Sequence, residues 1–387
     1  MGCHTVVKTV MASTSTPVIG MERGPHDTAL GALLAVLKTP ALAAELCGDP
    51  ALWSEIKRLA EVHRLSGLLA WSVSAALPPA ERPWRDSVLM THHSRHQRFT
   101  GQLHSLVMEL DNAGVPAVVL KGPVLAERFH PVPFLKLSHD LDILVRMSEI
   151  PTVTRLMLAS GFRLVGGFPW RIQRNCEHHL NFVAAANGLM VEVHYSFKAG
   201  AHLFPSEEFI DRSVNWRSAN GLDFRVLAPA DEVFYLIVHA AGHAFQRLRW
   251  LYDALAAAKT LCAADRERVL SLAREGGLMG HLVAADMACR EFFGESLGFD
   301  LSGCATPWLW SILKPKHLWT MAQRNDYSFA NRTLDVCRMS GSPASALFLC
   351  LENGAGKWPA WLYRLRGGRV GPEVLARSLE SAGLPKP

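Results

Sequence analysis

The sequence predicts an α+β protein, a small mixed β-sheet flanked by N- and C-terminal helical regions. Three observations predict it. Apolar residues recur at intervals of three and four over residues 28–112, and again after Pro229. Between these stretches the apolar runs become short, β-branched and alternating, as strands do. Turn formers stand at the changes of pattern: Asp49-Pro50, Pro78-Pro79, Gly114, Gly161 and Pro229.

Residues 1–27 carry no such pattern and read as a flexible N-terminal tail. Residues 28–112 form the N-terminal helical region, and Gly114 closes its last helix as a C-terminal glycine does. Residues 113–228 form the sheet. Ala117–Leu120 is a first strand, 123–130 a helix, Asp140–Val145 a second strand and Ile150–Ser160 a helix closed by Gly161. His178–Ala184 and Leu189–Phe197 follow as a hairpin around Ala186-Asn187-Gly188, giving the order β-α-β-α-β-β. Residues 229–305 are helical again, opening with Pro229 and two acids at a first turn. Residues 306–387 form a C-terminal helical or irregular region rich in Trp, Pro and Gly, whose tryptophans at irregular spacing read as packing residues.

Composition narrows the function. The chain has 387 residues, 49% hydrophobic and 19% charged, long enough for a sizeable core. The net charge of +5 suits anionic small substrates. No Lys/Arg block leaves a nucleic-acid footprint, and the short basic tract at 362–370 reads as a solvated loop. Eight scattered cysteines form no C-x-x-C pair, which fits a reducing, cytoplasmic setting rather than a zinc or disulfide framework. No apolar run is long enough for a membrane span.

Chemistry gathers in the sheet. Asp140 and Asp142 lie two apart on a strand and so share one face, with Leu141, Ile143 and Val145 on the other. Two carboxylates in an apolar setting repel unless a cation compensates them. Paired at i, i+2 they suit a hard divalent ion that keeps a nucleotide's phosphates. Upstream, Lys121-Gly122-Pro123 runs from a strand into a helix, where glycine lets a phosphate approach and free N–H groups bind anions. Downstream, Glu192 and His194 share a face, opposite Val191, Val193 and Tyr195. Taken alone, each piece also reads blandly, as solvated acids, a plain turn or a wet edge strand.

The order strand–Gly–helix, D-x-D strand, acid on a neighbouring strand resembles the polymerase-β-like nucleotidyltransferase superfamily. More narrowly, LKGPVLAERF, KLSHDLDILVR, MVEVHYSF, LAPADEVFYLIVHAAGH and LRWLYDALA look like a bacterial group of largely uncharacterised nucleotidyltransferase-family proteins, over roughly residues 55–265. The resemblance implies an enzyme that moves an NMP from an NTP such as ATP to an acceptor, with Mg²⁺ or Mn²⁺ and release of pyrophosphate. It implies metal ligands and catalytic residues Asp140, Asp142 and Glu192, and nucleotide contacts from Lys121, Gly122, Lys136 and His139. The acceptor would be a small molecule, as in natural-product tailoring, or a peptide or protein side chain. The chain departs from the pattern in three places: Gly122-Pro123 replaces Gly-Ser, Lys136 replaces Arg, and His139 replaces a small residue. An inactive scaffold that binds a nucleotide or a partner is the alternative.

Other polar groups remain open. His239 and His243 are four apart on one helix face, in a stripe with Glu232, Tyr235 and Gln246. They read as satisfied structural histidines, as acceptor-pocket lining together with His194 and His179, or as a metal or hydrolytic site completed by Asp253. Asp253 reads first as a structural partner of Arg249 or a nearby histidine. Residues 91–96, T-H-H-S-R-H, read as an exposed helix face, and one of His178 and His179 should face the acids.

Overall fold

A computed structural model describes residues 25–199, 202–303, 369 and 371–381. The sequence-predicted tail up to residue 24, the tryptophans of 308–361 and most of the basic tract lie outside the described residues.

The N-terminal helices are α1 (Pro25–Lys38), α2 (Ala43–Leu46), α3 (Pro50–Val62), α4 (Ser66–Ser72) and α5 (Arg82–Asn112). The Asp49-Pro50 turn works as a helix start. The Asp49 carboxylate accepts hydrogen bonds from the Ala51 and Leu52 N–H groups at 3.0 Å, and Pro50 takes a first-turn position where no N–H is missed.

The sheet is larger than its sequence pattern indicates. Its strands are β1 (Val118–Val119), β2 (Asp140–Leu144), β3 (Phe162–Val165), β4 (His179–Ala184), β5 (Met190–His194), β8 (Val214–Arg217) and β9 (Asp223–Val226). They stand in the order β3-β4-β5-β2-β1-β9-β8. A separate ladder joins β6 (Ser196–Ala199) to β7 (His202–Pro205), so the predicted strand 189–197 divides at Tyr195 between two sheets. The order β-α-β-α-β-β is therefore corrected: β3, β7, β8 and β9 are four residues each, too short for a periodic signal to stand out. The helices α6 (Gly122–Phe129) and α7 (Ile150–Ala159) stand where expected, and α8 (Trp170–Cys176) and α9 (Ser206–Arg212) add to them.

Four helices follow: α10 (Pro229–Gly242), α11 (Leu248–Ala258), α12 (Ala263–Glu275) and α13 (Met279–Phe293). They share one core with α1, α3 and α4, through residues such as Leu33, Trp53, Leu69, Phe245 and Phe292. A second core lies on the apolar face of the sheet, where Leu141, Ile143, Val191, Val193, Phe182 and Tyr195 meet Leu103 and Leu110 of α5 and Val153 of α7. Each such side chain contributes about 1.5–3 kcal/mol on full burial. A helix of the last region, α14 (Pro372–Ser381), docks on this second core through Leu375 and Leu379, and Ser378 Oγ accepts from the Trp170 N–H at 2.7 Å.

With one face of the sheet committed to that core, polar strand residues are forced to the other. Register fixes which ones. Asp142 pairs with Glu192 across the parallel β2–β5 ladder. Glu192 pairs with Asn181, and His194 with His179, across the antiparallel β4–β5 ladder. Paired residues share a face, so the acids of β2 and β5 and the imidazoles of β4 and β5 stand together.

Candidate active site

The site begins at the turn after β1. Gly122 has φ +77°, a conformation open to glycine and costly for other residues, and it starts α6 with Pro123 beside it. The turn places Lys121 against the acids of the neighbouring strand. Its Nζ lies 2.9 Å from Asp142 Oδ1, with the Tyr235 ring of α10 5.9 Å away.

Asp142 is almost sealed, with 1% side-chain exposure, whereas Glu192 keeps 22%. His194 links them: its Nε2 is 3.3 Å from Asp142 Oδ1 and 3.4 Å from Glu192 Oε2. Asp140 is half-buried at the open end of β2. Asp140 and Asp142 share one face, as their spacing predicts, and the β2–β5 register brings Glu192 to it.

The electrostatics follow from three acids beside one lysine. Burial would raise the pKa of Asp142, but the Lys121 charge and the His194 hydrogen bond outweigh it and hold the carboxyl well below the usual range. Burial followed by repulsion from Asp142 pushes Asp140 up. Glu192 is lowered, since its hydrogen bond from His194 overcomes burial. Burial disfavours charge on Lys121 and His194, yet both are raised, Lys121 chiefly by Asp142 and His194 by its bonds to Asp142 and Glu192. The cluster is short of positive charge.

The remaining predicted residues divide. His179 stands opposite His194 and His178 beside it, so the rings of both, not one, meet the site. His239 is half-buried next to His243, both rings against Trp250, and Lys121 and Asp142 lie within its electrostatic reach. Glu232 of the same stripe pairs instead with Arg128 at 2.5 Å. His139 is exposed, next to Asp140.

Lys136 is drawn elsewhere. Its Nζ lies 3.2 Å from Asp253 Oδ2, in a buried cluster where Arg249 Nε is 2.6 Å and His130 Nε2 2.8 Å from Asp253 Oδ1. Asp253 thus bonds both Arg249 and a histidine. With its carboxylate so occupied, it does not join His239 and His243 among the converging metal-type groups of the described residues.

Sequence reasoning missed three groups. Arg95 comes from the 91–96 stretch expected to be exposed. Its Nε donates to the Ser138 carbonyl at 2.8 Å, and its charge acts on Asp140. In the same stretch His92 is buried beside Ser66. Arg64, at φ +58° in the turn between α3 and α4, also acts on Asp140. The turn is tied down by Arg249, which donates to the Arg64 carbonyl at 3.4 Å, and by Arg247, which donates to that of Val62. Ser138 is the third. Its Oγ is buried without a hydrogen-bond partner among the described residues, and a Cβ built on Gly122 would lie 3.9 Å from it. The two arginines depend on helix packing that no local motif encodes. Ser138 did have a signal, a hydroxyl two residues before Asp140, next to a turn lacking one.

The carboxylates of Asp142 and Glu192 suit a hard divalent cation, with the His194 imidazole beside them. One ligand atom each from Asp142, Glu192 and His194 lies within 4.8 Å of the others, and Asp140 joins them on the same face. Lys121 already balances part of this charge.

No curated protein matches the chain. A model of the family described as "uncharacterised nucleotidyltransferase" matches residues 34–294, from α1 to the end of α13, a longer stretch than the motifs alone span and one that takes in both helical flanks. The chain belongs to this nucleotidyltransferase family.

Proposed function

We propose that the protein transfers an NMP from an NTP to a small-molecule or peptide or protein acceptor and releases pyrophosphate. The observation that supports this most is the shared face of Asp140, Asp142 and Glu192 with a single lysine to balance them. An acceptor hydroxyl attacks the α-phosphorus, a new P–O bond forms, and the bond to the β-phosphate oxygen breaks as pyrophosphate leaves. Mg²⁺ held by Asp140, Asp142 and Glu192 would supply Lewis-acid charge to the phosphoryl oxygens.

The chain's own residues do the rest. Lys121 and the Gly122 N–H neutralise and hold phosphate oxygens. Ser138 Oγ supplies the hydroxyl that the Gly122-Pro123 turn lacks. Arg64 and Arg95 add positive charge on the Asp140 side, where the triphosphate would extend. Glu192, more open to solvent than Asp142, takes the acceptor's proton. His194 holds Asp142 and Glu192 in place. The buried face of α10, with Tyr235 and His239, backs the pocket, and His179 and His243 border it.

Incubation with each labelled NTP and a cell extract tests the reading. Label should appear on an extract component with matching pyrophosphate release, and Asp142→Asn should abolish both. A second reading, a nucleotide-binding scaffold, draws on the hydroxyl-free turn and on Lys121 already paired with Asp142. It predicts nucleotide binding with no pyrophosphate and no effect of Asp142→Asn.

A further inference from the structure

The ligand chemistry on this face does not end with the acids. His179 lies directly across the β4–β5 ladder from His194, and His178 immediately precedes it. The three rings crowd together. Centroids are 4.4 Å apart for His178 and His179, 5.1 Å for His179 and His194, and 5.4 Å for His178 and His194. His178 Nε2 and His179 Nδ1 face one another at 3.1 Å. One nitrogen from each of the three rings lies within 4.8 Å of the other two. His194 is 3% exposed, and its Nδ1 is buried without a hydrogen-bond partner among the described residues.

That geometry is close to what an ion requires. Nitrogens bound to a tetrahedral ion at 2.0–2.1 Å stand about 3.3 Å apart, near the 3.1 Å already present between His178 and His179. Closing the third donor takes a side-chain adjustment, while the hairpin fixes the backbone. The Asn187 side chain accepts from the Leu189 N–H at 3.0 Å, with Gly188 at φ +69°, and this turn sets the register that pairs His179 with His194. Imidazole nitrogen is a borderline-soft donor. It favours zinc, cobalt, nickel or copper, whereas Mg²⁺ prefers carboxylate and phosphate oxygen.

We propose that His178, His179 and His194 bind one borderline divalent transition-metal ion of the zinc type, at a position beside the carboxylate group and chemically distinct from it. His194 is the wall between the two, since its Nε2 faces Asp142 and Glu192. An ion among the imidazoles adds positive charge next to a cluster short of it. The inference does not rest on nucleotidyl transfer: the site would bind zinc whether or not the acids turn over a nucleotide.

The test needs no variant at first. The full chain is stripped with a chelator, loaded with one equivalent of Zn²⁺, desalted and measured by zinc-edge X-ray absorption. Three imidazoles in the first shell at about 2.0–2.1 Å are expected. A single imidazole among carboxylate oxygens would put the ion with Asp142 and Glu192 and overturn the proposal, as would zinc lost on desalting. Co²⁺ absorption then assigns the residues. His179→Ala, with its fold checked by circular dichroism, should lose the visible bands, and Asp140→Asn should keep them. Bands retained in folded His179→Ala, or lost in Asp140→Asn, contradict the site. Failure of NTP chemistry alone leaves both measurements unchanged.

Discussion

Two buried aspartates in this protein sit in opposite electrical surroundings. Asp142 shares its face with Asp140 and Glu192; among the described residues Lys121 and the imidazole of His194 are the groups paired with these acids, while Arg64 and Arg95 act on Asp140 without pairing with it. Asp253 is one acid among Arg249, Lys136 and His130. The neighbouring imidazoles report the difference. Burial lowers both, but the acids reverse this for His194 and raise it, while Arg249 adds to burial and holds His130 down at about 4. Lys136, too, is lowered to about 8 by burial despite its acid partner, because Arg249 opposes it. A buried acid with excess cations around it is a closed structural joint. Three acids with too few cations are a site waiting for positive charge.

The same isosteric change should therefore fail in different ways. Asp142→Asn should cost several kcal/mol of transition-state stabilisation, about a thousandfold or more in transfer rate. It should cost some stability as well, because buried Lys121 and His194 lose a partner, but less than the change at Asp253, since Lys121 keeps Asp140 and Glu192 nearby and repulsion among the acids is relieved. Asp253→Asn should spare the chemistry and cost more stability, about 3–5 kcal/mol in urea, by leaving Arg249 and Lys136 buried and unpaired. Equal stability losses in both variants would erase the contrast.

The imidazoles sharpen it through pH. His130 and the fully buried His281 are neutral in the fold to about pH 4, against about 6.5 in the unfolded chain. The unfolded chain takes up protons first, so stability should fall as pH drops from about 6.5 to 4, by about 3 kcal/mol for His281 alone. His194 has the opposite sign. Its raised pKa adds stability below about 6.5 that is lost as pH rises through its folded value. Nuclear magnetic resonance titration of the two imidazoles should place His194 above 6.5 and His130 near 4. Reversed positions would contradict the charge assignment of both clusters.

The smallest expected effect concerns Ser138. A hydroxyl bonded to a charged phosphate contributes about 1.5 kcal/mol, so Ser138→Ala should raise the Kd for NTP about tenfold with kcat nearly unchanged. Ser138→Thr should restore binding. An unchanged Kd would remove Ser138 from the phosphate site.

Much of the first cluster was legible in the sequence, because strand alternation is local. Asp140, Asp142, Glu192 and His194 announce their shared faces by spacing alone, and Gly122 announces its turn. The second cluster was only half visible. Arg249 and Asp253 are a helical i, i+4 pair, but His130 and Lys136 reach them from more than a hundred residues away. Arg64 and Arg95 arrive by helix packing, which no spacing rule encodes. The strands β3, β8 and β9 escaped because FRLV, VNWR and DFRV are four residues each, too short for alternation to stand out, and each carries arginine. The His178–His179–His194 cluster became visible only once the hairpin register was known.

Mn²⁺ binding followed by electron paramagnetic resonance, with and without NTP, tests the charge deficit most directly. The free-ion signal should fall on adding wild-type protein, fall further with NTP, and recover in Asp142→Asn but not in folded Asp253→Asn. No loss of signal with wild-type protein and NTP, or equal loss with Asp142→Asn, would contradict a metal-nucleotide site at these acids.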